Sequence, residues 1–111
     1  MEVSFASAQL GRLCNNLVTA RRKLGEERAK KLQLRLDQIS AATHLAELAT
    51  LPQARCHQLK GDRDEQFSLD LDGPHRLIVE VDHDPVPRTA DGGVDREKIE
   101  RLLVLEIRDT H

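Results

Sequence analysis

Residues able to hold a phosphate or move a proton crowd into one short stretch of this chain. His57, Lys60 and Arg63 lie within seven residues, Arg76 follows at the head of the next apolar run, and Asp109, Thr110 and His111 close the sequence. An unperturbed imidazole titrates near about pH 6.5, so His57 and His111 are natural acid and base candidates. Lys60, Arg63 and Arg76 supply positive charge, with arginine the better bidentate phosphate ligand. Plainer readings stand beside these. His57 can be an ordinary surface histidine, Lys60 and Arg63 can pair with Asp62, Asp64 and Glu65 as solvated loop charges, and Arg76 can pair with Glu80 on its own strand. Cys56 beside His57 is no thiol–imidazole pair, because neighbours in extended chain point to opposite sides. The histidines at 44, 57, 75, 83 and 111 have no ligand spacing, so no metal site is expected.

The elements that must position these groups can be read from periodicity. Phe67, Leu69 and Leu71 alternate with Gln66, Ser68, Asp70 and Asp72, and Leu77, Val79 and Val81 repeat the alternation. Asp72-Gly73-Pro74 between the two runs makes an antiparallel hairpin. Arg76 then falls on the face opposite Leu77, Val79 and Val81. Glu2 to Phe5 alternates as a short opening strand. Leu10, Leu13, Leu17 and Leu24 form one helical stripe capped by Ser7 and ended by Gly25. Ala29, Leu32, Leu36, Ile39 and Thr43 mark a second helix, with Glu26 and Glu27 in its first turn. Leu45, Leu48 and Leu51 predict a further helical turn before Pro52. The Pro- and Gly-rich segment 82–93 reads as a loop, Asp95 caps a single turn, and Leu102 to Ile107 suits a central strand covered on both faces. The expected fold is α+β: two helices on one face of a small, mostly antiparallel sheet, in the order β-α-α-β-β-β.

The run His57-Gln58-Leu59-Lys60-Gly61-Asp62-Arg63, the pair His75-Arg76 and the ending Glu106-Ile107-Arg108-Asp109-Thr110-His111 together resemble the HigB branch of the RelE/ParE toxin superfamily. That branch shows His-x-Leu-Lys-Gly-Asp-Arg, then Trp-Arg or Tyr-Arg, and a closing Asp-Tyr-His. Here His75 and Thr110 stand at the two aromatic positions. The resemblance implies a toxin of a type II toxin–antitoxin pair, of the kind associated with plasmid maintenance, that cleaves mRNA on the ribosome without a cofactor. It implies catalytic roles for His57, Lys60, Arg76, Asp109 and His111, and RNA contacts for Arg63, His75 and Thr110. The implied partners are a helix-turn-helix antitoxin, the ribosome and its mRNA, with a homodimer as a further arrangement. Two rival classes remain: a ParE-like toxin that blocks a protein target such as gyrase, and a catalytically weak relative that serves as a binding or regulatory partner.

Size and charge fit this frame. The 111 residues suffice for one domain, 1–111, with a single core. Charged residues make up 32%, and no stretch approaches the ~20 apolar residues a membrane helix needs. The mixed, acidic start after Met1 does not read as a signal peptide, and the cytoplasm is the expected compartment. Net charge is −2, yet the first 60 residues hold ten Lys/Arg against five Asp/Glu, and the rest hold seven against fourteen. A basic helical half can face RNA, an acidic partner or simply water. With no Trp, no Tyr and two Phe, the chain has little to stack on an unpaired base.

Overall fold

The computed structural model describes residues 1–110, and these form five strands and four α-helices. The strands are β1 (Glu2–Phe5), β2 (His57–Gln58), β3 (Gln66–Asp70), β4 (His75–Val81) and β5 (Arg101–Asp109). They make one sheet in the order β1-β5-β4-β3-β2, antiparallel except where β1 runs parallel to β5. The helices are α1 (Ala8–Asn15), α2 (Leu17–Leu24), α3 (Glu26–Ala41) and α4 (Leu45–Leu48). The expected α+β architecture is the observed one.

The core lies between the helices and one face of the sheet. Leu32, Leu36 and Ile39 of α3 meet Phe67, Leu69, Leu77, Val79, Leu102 and Val104, all buried. These strand positions alternate, so the opposite face carries Ser68, Asp70, Arg76, Ile78, Glu106 and Arg108. Deleting one of the large buried side chains, such as Leu77→Ala, would cost about 2–5 kcal/mol.

Three expectations need correction. The stripe from Leu10 to Leu24 is not one helix: Asn16 adopts an extended backbone, and its side-chain oxygen accepts from the Thr19 amide at 3.1 Å, which starts α2. Asparagine competes for backbone groups and favours caps over helix interiors. The break turns Leu17 and Val18 toward solvent, at 39% and 68% exposure. Secondly, the last strand is interior, between β1 and β4, but covered on one face only; Leu102 and Val104 are buried whereas Leu103 and Leu105 are half-buried. Thirdly, a two-residue strand, β2, precedes the predicted hairpin and carries His57 at the edge of the sheet. The other elements agree, though α3 stops at Ala41, short of Thr43, and α4 at Leu48, short of Leu51. Ser7 caps α1 through the Leu10 amide at 3.0 Å, Gly25 takes φ 86 between α2 and α3, and Gly73 takes φ 52 in the β3–β4 turn.

Candidate functional site

Pairing register places the candidate residues with respect to one another. His57 lies opposite Ser68, Ser68 opposite Ile78, and Ile78 opposite Glu106, so these four form a row across the face away from the helices. The adjacent row on the same face is Asp70, Arg76 and Arg108. His57 is therefore two strands and one pleat repeat from Arg76, about 12 Å between Cα atoms from standard strand spacings. Both side chains point to the same side.

Arg76 is held rather than loose. Its Nε is 3.0 Å from Asp70 Oδ1, and one terminal nitrogen donates to the Gly73 carbonyl at 2.8 Å and the His75 carbonyl at 2.9 Å. Its partner is thus the cross-strand Asp70, not Glu80 on its own strand. Asp70 also lies 3.6 Å from Arg55 Nε, and Arg55 has the left-handed φ of 45. Beneath this cluster Arg35 of α3 is 2% exposed and donates to the carbonyls of Asp70 at 2.6 Å and Gln53 at 2.8 Å, and to Gln38 Oε1 at 3.1 Å. Burial lowers the Arg35 pKa, and the nearby Asp70 charge partly opposes that shift. The reason for this buried arginine is the sheet edge. Ala54 accepts the Asp70 amide at 2.7 Å, but β2 offers no amide to the Asp70 carbonyl, and the guanidinium supplies the missing donor.

His57 is exposed, and its Nδ1 sits 3.0 Å from the Arg55 carbonyl. A carbonyl only accepts, so Nδ1 carries the proton and a neutral ring leaves Nε2 with its lone pair outward, the form a general base requires. Lys60 is exposed at the head of the Gly61–Arg63 turn, and Arg63 Nε donates to Gln66 Oε1 at 2.9 Å. Arg88 ties that turn to the long β4–β5 connection, bridging Asp64 at 2.9 Å and Glu65 at 2.6 Å. No cysteine nucleophile emerges: burial pushes both Cys14 and Cys56 up to about 11, with Arg96 weakly opposing the shift at Cys56.

The other candidates sit apart from this face. His75 and Asp109 are opposed on β4 and β5, with His75 Nε2 3.8 Å from Asp109 Oδ2. Being one residue out of step with Arg76 and Arg108, they turn toward the helices. There they line a cleft of about 470 Å³ with Leu10, Leu24, Lys23 and Arg28. Asp109 thus lies on the sheet face opposite Arg76 and His57, although the resemblance groups the three as catalytic. Thr110 is used structurally, its amide and hydroxyl both donating to the Pro74 carbonyl at 2.9 and 2.7 Å. His111 lies outside the described residues.

Sequence reasoning missed Asp70, Arg35, Arg55, Arg108 and Glu106. Two of these were readable. A hairpin centred on Gly73 sets Asp70 opposite Arg76, and Arg35 falls on the Leu32–Leu36–Ile39 stripe of α3, where a charged residue needs a reason.

The model of the HigB-like toxin family, described as RelE-like toxins of the type II toxin–antitoxin system HigB, matches residues 3–89. The match takes in β1 through β4 and ends before β5. No curated protein matches the chain. Among solved structures, a YoeB/ParE toxin from Agrobacterium tumefaciens shares the fold, with a TM-score of 0.54 and 16% identity over 100% of both chains.

Proposed function

This chain belongs to the HigB-like family of RelE-like toxins from type II toxin–antitoxin systems, and on that premise we propose that it is an endoribonuclease that cuts mRNA on the ribosome. The observation that carries the reading is the helix-free sheet face, where Arg76 is oriented by Asp70 and His57 presents an outward Nε2. In this reaction the 2′-hydroxyl of a nucleotide attacks the adjacent phosphorus. The 2′-oxygen–phosphorus bond forms, the bond to the 5′-oxygen breaks, and the products are a 2′,3′-cyclic phosphate and a 5′-hydroxyl. His57 takes the 2′-hydroxyl proton, and Arg76, with Lys60 and Arg63 at the end of the sheet, balances the charge of the phosphorane. His111 is assigned to the leaving-group side, where it protonates the 5′-oxygen, and Thr110 to the nucleotide, whereas His75 and Asp109, which turn toward the helices, make no contact in this step. Such a transesterification calls on no cofactor.

A type II toxin has an antitoxin partner, which we take to be a helix-turn-helix protein. The exposed Arg21, Arg22, Lys23 and Lys30 of α2 and α3 suit an acidic partner or ribosomal RNA. Among the described residues no helix is long and apolar enough to cross a membrane. The test is a reconstituted translation reaction in which mRNA ends are mapped after adding the protein. Cleavage that needs the ribosome and leaves cyclic phosphate supports the assignment. Arrested growth with intact transcripts would replace it with a block of a protein target.

A further inference from the structure

Arg76 and Arg108 are directly opposite each other on β4 and β5, on the face away from the helices. Like charges so placed have Cβ atoms about 5 Å apart and repel, so the arrangement needs a compensating role. Each guanidinium is held by a carboxylate, but differently. Arg76 pairs across strands with Asp70, and the two side chains are 23% and 17% exposed. Arg108 pairs within its own strand with Glu106, both nitrogens meeting both oxygens at 3.0 Å, and these side chains are 37% and 43% exposed. The first pair is sheltered and fixed by further bonds to two carbonyls. The second is more exposed, where an ion pair contributes little to stability, so another anion can displace its carboxylate at small cost. The Arg108 guanidinium has no other hydrogen-bond or ion-pair partner among the described residues.

We infer that Arg108 is a phosphate-binding residue of the RNA site and that Glu106 holds its guanidinium fork until a backbone phosphate displaces the carboxylate. This rests on the ribonuclease reading and extends it to two residues that are given no role by the resemblance and lie beyond the matched segment 3–89. Arg76 and Arg108 then grip the nucleic-acid backbone from adjacent strands, Arg76 in a fixed orientation and Arg108 in an exchangeable one. A planar bidentate fork already shaped to a carboxylate fits a phosphate equally well.

The test uses the full chain and a short 2′-O-methyl RNA, which binds but cannot be cut. Affinity is measured against salt concentration for wild type, Arg108→Gln, Arg108→Lys, Glu106→Gln and the Glu106→Gln/Arg108→Gln double variant, with thermal unfolding to confirm folding. A phosphate contact to single-stranded RNA contributes about 0.7 to the slope of log affinity against log salt, so Arg108→Gln should flatten the slope by about that amount. Arg108→Lys should keep the slope and lose part of the affinity. Glu106→Gln should raise affinity several-fold, and the double variant should lose that gain. An unchanged slope in Arg108→Gln overturns the inference, as does a Glu106→Gln gain that survives in the double variant. The ribonuclease reading is judged separately, by wild-type cleavage of ribosome-bound mRNA. If wild type cleaves while Arg108→Gln binds as wild type does, only the role of Arg108 falls; if wild type neither cleaves nor binds the uncuttable RNA, both fall.

Discussion

Replacing Arg35 by methionine removes the guanidinium while keeping an unbranched stem in the α3–sheet core. The change orphans two partly buried acceptors, the Asp70 and Gln53 carbonyls, which now receive bonds at 2.6 and 2.8 Å. An unsatisfied buried acceptor costs about 1–3 kcal/mol, so the pair costs about 2–6 kcal/mol. Against that stands the relief of removing a desolvated charge, which can offset several kcal/mol in the best-packed replacements. The expected net loss is about 2–4 kcal/mol, a large share of the roughly 5–15 kcal/mol typical of a folded domain. With a urea slope of about 1.5 kcal/mol per molar, the unfolding midpoint should fall by about 1.3–2.7 M. Arg35→Lys should recover only part, because one ammonium cannot span both carbonyls as the fork does. Amide exchange should quicken first at β2 and the end of β3, where the donor is lost. A methionine variant as stable as wild type would refute the reasoning, since it would mean that the guanidinium merely tolerates its burial.

Other outcomes follow from the same geometry. Both thiols are raised from 9.0 to about 11 by burial, so at pH 8 each should react with a disulfide reagent about a hundredfold more slowly than a cysteine in urea-unfolded protein. Glu47 accepts the Thr43 amide at 3.2 Å, and this hydrogen bond lowers its pKa. Its stabilising effect on α4 is thus present above the unfolded carboxylate value and lost as pH falls through the lower folded one; the Thr43 amide shift should titrate in wild type and stay flat in Glu47→Gln. Thr110→Tyr restores an aromatic group beside β4 at the expense of the hydroxyl bond to the Pro74 carbonyl. Cleavage in the translation assay should rise in that variant, and no change would show that missing stacking does not limit the activity.

Strand alternation and turn chemistry made the β3–β4 hairpin legible, because Asp72-Gly73-Pro74 fixes both the reversal and the register. The helices were legible as a stripe but not as segments. The stripe reports which face is buried and is nearly blind to a one-residue interruption, so the Asn15–Asn16 step carried the break unnoticed. Pairing of β1 with β5 joins residues about a hundred positions apart, and nothing local in Glu2–Phe5 encodes a parallel partner. For the site, the motif His57 to Arg63 and Arg76 indicated residue types, whereas the faces they occupy depended on register. Asp109 shows the difference. Its chemistry suits a catalytic group, but a one-residue offset from Arg108 turns it toward α1 and α2.

The central claim is that Arg76, oriented by Asp70 on the helix-free face, stabilises a phosphorane during mRNA cleavage. The most direct measurement is the rate at which ribosome-bound mRNA acquires new 5′-hydroxyl ends with wild type, Arg76→Ala and Asp70→Asn in the same reconstituted translation reaction. Loss of one such electrostatic contact should lower the rate about a hundredfold or more in Arg76→Ala. Asp70→Asn, which removes the carboxylate charge beside the guanidinium and leaves its bonds to the Gly73 and His75 carbonyls, should fall between the two. New ends at equal rates in wild type and Arg76→Ala, or translation arrest with uncut mRNA in both, would contradict the account.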